Sequence, residues 1–367
     1  MSLTNSNRLV IKVGSALTAP GNNGCSSKYL KNIADFIQTC RRQGKEVILV
    51  SSGSVAAGRQ WFANEKPSKA LKKAMAAAGQ TNMMTVWSKL LDMPLGQILL
   101  THADLCNRER YVSIKETIES LLNNGLIPII NENDTVTSDE LKVGDNDNLA
   151  AMTAAAVDAD ALIMCTDVNG FFDKNPNVHS DAKLLKHVYE ITPSIYAMAS
   201  GPVSSTGTGG MLTKVEAAEK ATAYGIDAYI VNGFDSSSLE QLANGINPGT
   251  RFLPNEEPLT PSIHWMTHTV RECGEVIIDD DNSNFYGSDQ RITSENILEV
   301  KGQFSIGDSI LVSSNDGKNI VKATANYSSC LLNHISQKQD EDDTDEHKSL
   351  QEYSIVSKEH LAVLENT

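Results

Sequence analysis

No apolar run in this 367-residue chain approaches the roughly 20 residues that cross a bilayer as a helix. The opening stretch from Met1 to Arg8 has no basic segment leading into a long apolar one, so no secretory signal is expected and the expected compartment is the cytoplasm. The six cysteines, at 25, 40, 106, 165, 273 and 330, form no Cys-x-x-Cys pair. That argues against a zinc ribbon or a disulfide scaffold and for a reducing compartment. Three glycine signatures are also missing. There is no G-x-x-x-x-G-K-[ST] loop, no G-x-G-x-x-G after the first strand and no G-x-S-x-G elbow. Walker-type nucleotide binding, a Rossmann dehydrogenase and a serine hydrolase are disfavoured in turn. Positive charge is scarce towards the C-terminus. Of the net −15, residues 274–367 contribute −11 from 18 acidic and 7 basic residues, while the first 273 contribute −4 from 28 and 24. Such an acidic region is a poor partner for a phosphate backbone.

The length allows two domains, and 40% hydrophobic with 21% charged residues is ordinary for a globular chain. Short apolar strands are expected at 9–13, 46–50, 96–101, 126–130, 161–165 and 227–231, with helical patterns at 27–42, 69–92, 112–124 and 211–224 between them. Continuous apolar strands alternating with helices indicate an α/β class with a mainly parallel sheet covered on both faces. Ligands of such sheets bind outside the carboxyl ends of the strands. The pattern changes after the Pro-rich stretch from Pro254 to Pro261. Short strands at 275–278, 309–312 and 319–323, with a hairpin turn at Asn315-Asp316-Gly317, indicate a smaller β-rich domain. The expected division is an α/β domain over 1–255, a linker over 256–273 and a β-rich domain over 274–367. Within the last, the acidic run 340–346 reads as a solvated loop.

Polar clusters stand after the expected strand ends. Lys12 interrupts an apolar strand just before Gly14-Ser15, placed either to meet a phosphate or simply to snorkel from a strand end. Ser51-Ser52-Gly53-Ser54 leads into a helix-like segment at 55–58, suited to an anion or to plain N-capping. Asn131-Glu132-Asn133-Asp134 follows the strand at 126–130, where an Asx turn is the simpler alternative. Gly144-Asp145-Asn146-Asp147-Asn148 puts two carboxylates and two carboxamides directly before the alanine-rich run 150–156. Thr166-Asp167-Val168-Asn169-Gly170 can be a nucleotide contact or a tight turn. The Gly207–Lys214 stretch, GTGGMLTK, places a glycine-rich loop at a helix start with a lysine in its first turns, an arrangement able to cradle phosphate.

Taken in order, the phrases VIKVGS, SSGSVAAGR, INEND, KVGDNDNLAA and GTGGMLTK resemble the amino acid kinase family over roughly residues 8–255. The resemblance implies a three-layer αβα sandwich and, from INEND and GDNDN at this spacing, transfer of the ATP γ-phosphoryl group to the side-chain carboxylate of L-glutamate, the first step of proline synthesis. It also implies feedback inhibition by proline, Mg²⁺ on the nucleotide phosphates and a homo-oligomer of two or four copies. Carried over by position, Ser52, Asp134 and Asn146 are the substrate-binding residues. Lys12, Thr166, Asp167 and the run Thr208, Gly209, Gly210, Met211, Leu212, Thr213 and Lys214 bind ATP. Lys12, Lys214 and Asp147 are the catalytic set, Asp147 lying between the two lysines. No metal ligands are assigned.

The C-terminal region resembles a PUA domain, a small β-barrel, through Gly274–Asp279 and Gly302–Asp308. It departs from that pattern at Asp280–Phe285, where a small-residue segment is expected. PUA domains elsewhere bind RNA; the charge here leads to an expectation of none. The alternatives are an acetylglutamate or aspartate kinase within the same fold, and an RNA-binding regulator with an inactive kinase domain outside it.

Overall fold

Alternate residues of the first strand, β1 (Arg8–Val13), face opposite ways: Leu9, Ile11 and Val13 enter one apolar cluster and Val10 another. A strand buried on both faces in this way belongs at the centre of a layered α/β unit. The structure is a computed structural model and describes residues 3–22, 24–62, 66–137, 145–176, 178–200, 210–279, 292–293, 297–315, 320–337 and 354–364. It divides into two compact units, Met1–Leu259 and Thr260–Thr367. In the first, β1 is followed by α1 (Ser15–Thr18), α2 (Ser27–Arg42), β2 (Glu46–Ser51), α3 (Ser54–Gly58), α4 (Lys69–Leu90) and β3 (Leu95–Leu100). Then come α5 (His102–Cys106), α6 (Arg108–Asn123), β4 (Ile127–Glu132), α7 (Asn146–Ala156), β5 (Ala161–Thr166), β6 (His187–Val188) and α8 (Pro193–Ala199). The unit continues with α9 (Met211–Ala223), β7 (Asp227–Asn232), α10 (Ser236–Ala243) and β8 (Thr250–Phe252).

Among the described residues these strands make one sheet in the order β3-β4-β2-β1-β5-β7-β8-β6. The pairs from β3 to β7 are all parallel, and the turn to antiparallel comes only between β7 and β8. Helices α2, α4 and α10 cover one face through Leu30, Ile33, Ile37, Met83, Trp87, Leu239 and Leu242. Helices α6, α7 and α9 cover the other through Ile118, Leu122, Leu149, Ala154, Val215 and Ala218. The result is the three-layer αβα sandwich expected from the sequence. Strand order also locates the site. The chain builds outward from β1 through β2 and β4 on one side, then returns through β5 and β7 on the other, so the connection reverses beside β1.

Helix α7 makes that return. Its far end lies at the amino end of β1, where Arg8 Nη1 donates to Val157 O at 2.5 Å. Its first turn, Asn146 and Asp147, therefore sits at the carboxyl edge of the sheet. Alanines at 150, 151 and 154 in α7 and at 217, 218 and 221 in α9 are buried, which lets the two helices approach closely.

The second unit contains α11 (Pro261–His268), β9 (Gly274–Ile278), β10 (Ile297–Gly302), β11 (Ser309–Ser314), β12 (Ile320–Ala325), α12 (Ser329–Gln337) and β13 (Val356–Leu364). Its sheet runs β10-β9-β11-β12-β13, antiparallel except for the β9–β11 pair, over a core of its own that includes Val276, Ile310, Val321 and Leu332. The turn at 316–317, the segment 280–285 and the acidic run 340–346 lie outside the described residues.

Of the boundaries that differ from the sequence expectation, the end of β4 bears on the site. β4 runs through Asn131 and Glu132 rather than ending at Ile130, because both continue the pairing with Leu99 and Leu100 of β3. Both side chains are buried. What reads as a polar turn is the last two residues of a strand.

Candidate active site

Lys12 projects from β1 on the Val10 face, the face that α7 and α9 cover. Asp147, in the first turn of α7, is fully buried and lies between two ammonium groups. Lys12 Nζ is 2.5 Å from Oδ1, and Lys214 Nζ, in the first turns of α9, is 2.9 Å from Oδ2. Lys12 and Lys214 are themselves each 6% exposed. Burial alone would push the Asp147 carboxyl up; the two ammonium groups overcome this and hold it down, at about 2. The residue is a fixed anion at any physiological pH. Paired with one lysine at each oxygen, it organises charge, and its lowered pKa makes it a poor base.

On the β2 side of Lys12 lies a chain of neutral polar groups. Asn146 Nδ2 donates to Ser52 Oγ at 2.6 Å and to Asn131 Oδ1 at 2.8 Å. Asn131 Nδ2 donates in turn to Gln80 Oε1 of α4 at 2.9 Å. Ser54 Oγ donates to Asp134 Oδ2 at 2.9 Å. Gly53, at φ 106°, supplies the left-handed turn between the end of β2 and α3. The Asn146 amide spends both its hydrogens internally, which leaves Oδ1 as an acceptor for a ligand ammonium group. Ser52 retains a hydroxyl hydrogen for an anion.

On the other side of β1, Thr166 ends β5 and donates to Asp167 Oδ1 at 3.0 Å; Asp167 is exposed. Gly210 precedes α9 without a side-chain cap, and among the described residues a Cβ built on it would meet nothing within 4 Å. An uncapped helix start with two buried lysines nearby suits a polyphosphate. Thr213 Oγ1 lies 3.3 Å from Asp147 Oδ2 and 3.0 Å from Gly210 O, while Met211 is half-buried and Leu212 exposed. Of the residues expected to contact the nucleotide, Thr208 and Gly209 lie outside the described residues, as does Gly144 of the acidic block. Among the described residues no group of three or more His, Cys, Asp or Glu could hold a metal ion.

The structure brings Lys12, Asp147 and Lys214 into one charge relay and joins Ser52 to Asn146 directly. Sequence reasoning left Asn131, Ser54 and Gln80 without roles. Asn131 and Ser54 stood inside clusters already noted; Gln80 carried no signal, being one polar residue within a helical run. Asp145, whose role the sequence left open, caps α7, with Oδ1 accepting from Asn148 N at 2.9 Å.

A parallel sheet that reverses beside a lysine-bearing strand, with paired lysines on one buried carboxylate, defines a phosphoryl-transfer enzyme lacking a Walker loop. A sequence profile of the amino acid kinase family matches residues 7–232, and the chain belongs to that family. Its full-length relatives include glutamate 5-kinase 1 of Pseudoalteromonas translucida, 53% identical over the whole of both chains. Glutamate 5-kinase of Idiomarina loihiensis is 47% identical over 98% of each chain, and that of Salinibacter ruber 43% over 90% of each. A carbamate kinase from Giardia lamblia, solved with AMP-PNP, shares the fold at a TM-score of 0.50 and 20% identity, covering 69% of this chain and all of that one. No helix among the described residues is long and apolar enough to cross a membrane.

Proposed function

We propose that the chain is a glutamate 5-kinase, transferring the γ-phosphoryl group of ATP to the side-chain carboxylate of L-glutamate. The single observation that carries this reading is the Lys12–Asp147–Lys214 relay beside an amide-lined pocket. A carboxylate nucleophile is ionised at pH 7, so the site needs no base. Its task is to bring two anions into line and to neutralise charge developing on the transferring group. Lys12 and Lys214 do this from two sides, held in place by Asp147. Mg²⁺, carried on the phosphates, adds Lewis-acid charge neutralisation. Ser52 and neighbouring donors hold the α-carboxylate; Asn146 Oδ1 and Asp134 accept from the α-ammonium. Thr166, Asp167 and the start of α9 take the nucleotide.

Proline carries an α-carboxylate beside a cationic, secondary ammonium, a head like that of glutamate, and we infer that it inhibits by competing in this pocket. The second unit, with its own core and a mostly antiparallel sheet, is read as a PUA-like domain. Its acidity supports an expectation of no RNA binding. Cytoplasmic localisation and a homo-oligomeric assembly are further expectations.

The test is glutamyl hydroxamate formation with ATP, Mg²⁺ and hydroxylamine, with and without proline, alongside acetylglutamate and aspartate as acceptors. Glutamate should be preferred by more than tenfold; preference for either alternative acceptor would overturn the reading. In the same assay Asp134→Ala should raise the glutamate KM, on the order of tenfold or more for a lost charge-assisted bond, and leave the ATP KM unchanged. A fall in ATP affinity instead would remove Asp134 from the acceptor pocket.

A further inference from the structure

One backbone N–H sets the direction of the whole amide chain. Glu132 N donates to Asn131 Oδ1 at 2.9 Å, and only an acceptor can receive it. The other end of the Asn131 amide is therefore Nδ2, the group facing Gln80. Gln80 in turn must present Oε1 to it, which leaves Gln80 Nε2 as the donor at the end of the chain. The amide orientations are thus not interchangeable. Gln80 is 7% exposed, and its Nε2 is buried with no hydrogen-bond partner among the described residues. A buried, unsatisfied amide is costly, and next to side chains assigned to a ligand its natural complement is an oxygen of that ligand.

Helix packing keeps Gln80 there. Gly79, the preceding residue, meets α3 backbone to backbone: a Cβ on it would lie 1.8 Å from Ser54 O and 2.5 Å from Gly58 N. Below it, Trp87 Nε1 donates to Ser51 Oγ at 3.0 Å. α4 is thereby held against the loop that carries Ser52.

Register says which ligand oxygen is in reach. Lys12 pairs with Val50 and Val50 with Ile130, so Asn131 lies one residue beyond that rung on the second strand over from β1. Two strand spacings amount to roughly 10 Å. The reacting carboxylate belongs at the lysines, and Gln80 belongs at the other end of the substrate.

We propose that Gln80 Nε2 binds the α-carboxylate of the amino-acid substrate, at the end of the relay formed by Asn131, Asn146 and Ser52. The assignment rests on the glutamate-kinase reading given above. Gln80 is a binding and specificity residue; it takes no part in the phosphoryl transfer.

Gln80→Glu keeps the acceptor that Asn131 needs and replaces the orphan donor with an anion. Gln80→Met removes both polar ends at similar volume. Wild type and variants are compared in the hydroxamate assay with L-glutamate and with L-isoglutamine, whose α-carboxylate is a carboxamide, and their melting temperatures and ATP KM are measured. Expected are a glutamate KM raised at least tenfold in both variants, an ATP KM within twofold, and a glutamate-over-isoglutamine preference that shrinks at least tenfold in Gln80→Glu. If Gln80→Glu does not fold, the Gln80→Met values decide. A glutamate KM within twofold of wild type in the variants that fold, with wild type active on glutamate, would overturn the proposal and leave Gln80 a scaffold for Asn131. A wild type inactive on glutamate would instead sink the functional reading itself.

Discussion

Asp147 is a single carboxylate on which two cations depend. Breaking a buried ion pair from one side leaves an uncompensated charge, at a cost of about 3–5 kcal/mol. Asp147→Asn strands two lysines at once, so that range is the expected loss of stability at pH 7, read as a shift in denaturant midpoint. Because a polyphosphate can replace the missing anion, ATP with Mg²⁺ should raise the melting temperature of this variant more than that of the wild type. An equal or smaller rise would show that the lysines do not meet the phosphates. The pH dependence follows from the depressed carboxyl, held at about 2 against an ordinary value near 3.8. A group whose folded pKa is lowered contributes above its unfolded pKa and loses that contribution as pH falls through the folded value. The Asp147 contribution should be constant from neutrality to about pH 4 and vanish between there and about pH 2. Lys214 bears on rate. Lys214→Ala should lower kcat by on the order of 10²–10³, the effect of removing one preorganised charge-stabilising donor, with a smaller change in glutamate KM. Near-normal kcat would take Lys214 out of the transition state.

The elements that position these residues were legible in the sequence to different degrees. The strands expected at 46–50 and 161–165 and the helix expected at 27–42 have continuous apolar or 3.6-residue patterns, and they form at Glu46–Ser51, Ala161–Thr166 and Ser27–Arg42. Short elements such as β6, with two residues, and β8, with three, carry no period to read. The end of β4 was missed because Asn131 and Glu132 are polar, and polarity outweighs strand character in a local window although tertiary pairing holds them in the sheet. Gln80 was missed for a deeper reason. Its placement depends on a contact between helices that no local pattern encodes, the meeting of Gly58 and Gly79. Gly79→Ala tests that contact. A Cβ 1.8 Å from Ser54 O forces α3 and α4 apart, and overpacking of this kind costs about 1–3 kcal/mol. The expected outcome is a lowered melting temperature together with a raised glutamate KM, since the Ser52–Ser54 loop moves with α3. A stable variant with wild-type glutamate KM would show that the α3–α4 contact does not set the pocket.

At the scale of the whole molecule, the two units have separate cores, and every residue placed in the reaction falls between positions 12 and 214, inside the unit that ends at Leu259. The chain divides between Leu259 and Thr260, and residues 261–268 form a helix of the second unit. A domain with its own core folds by itself when its buried apolar surface is sufficient, and 259 residues is ample for that. The chain cut after Leu259 should therefore melt cooperatively and form glutamyl hydroxamate with a kcat within about threefold of the full chain, because no group in the Lys12–Asp147–Lys214 relay or the amide pocket is lost. The removed part carries most of the negative charge, so any change in ATP KM should shrink as salt is raised, which distinguishes a long-range field from a lost contact. A truncated chain that melts cooperatively yet loses more than tenfold in kcat at every salt concentration would show that the second unit supplies something to the reaction that the first does not contain.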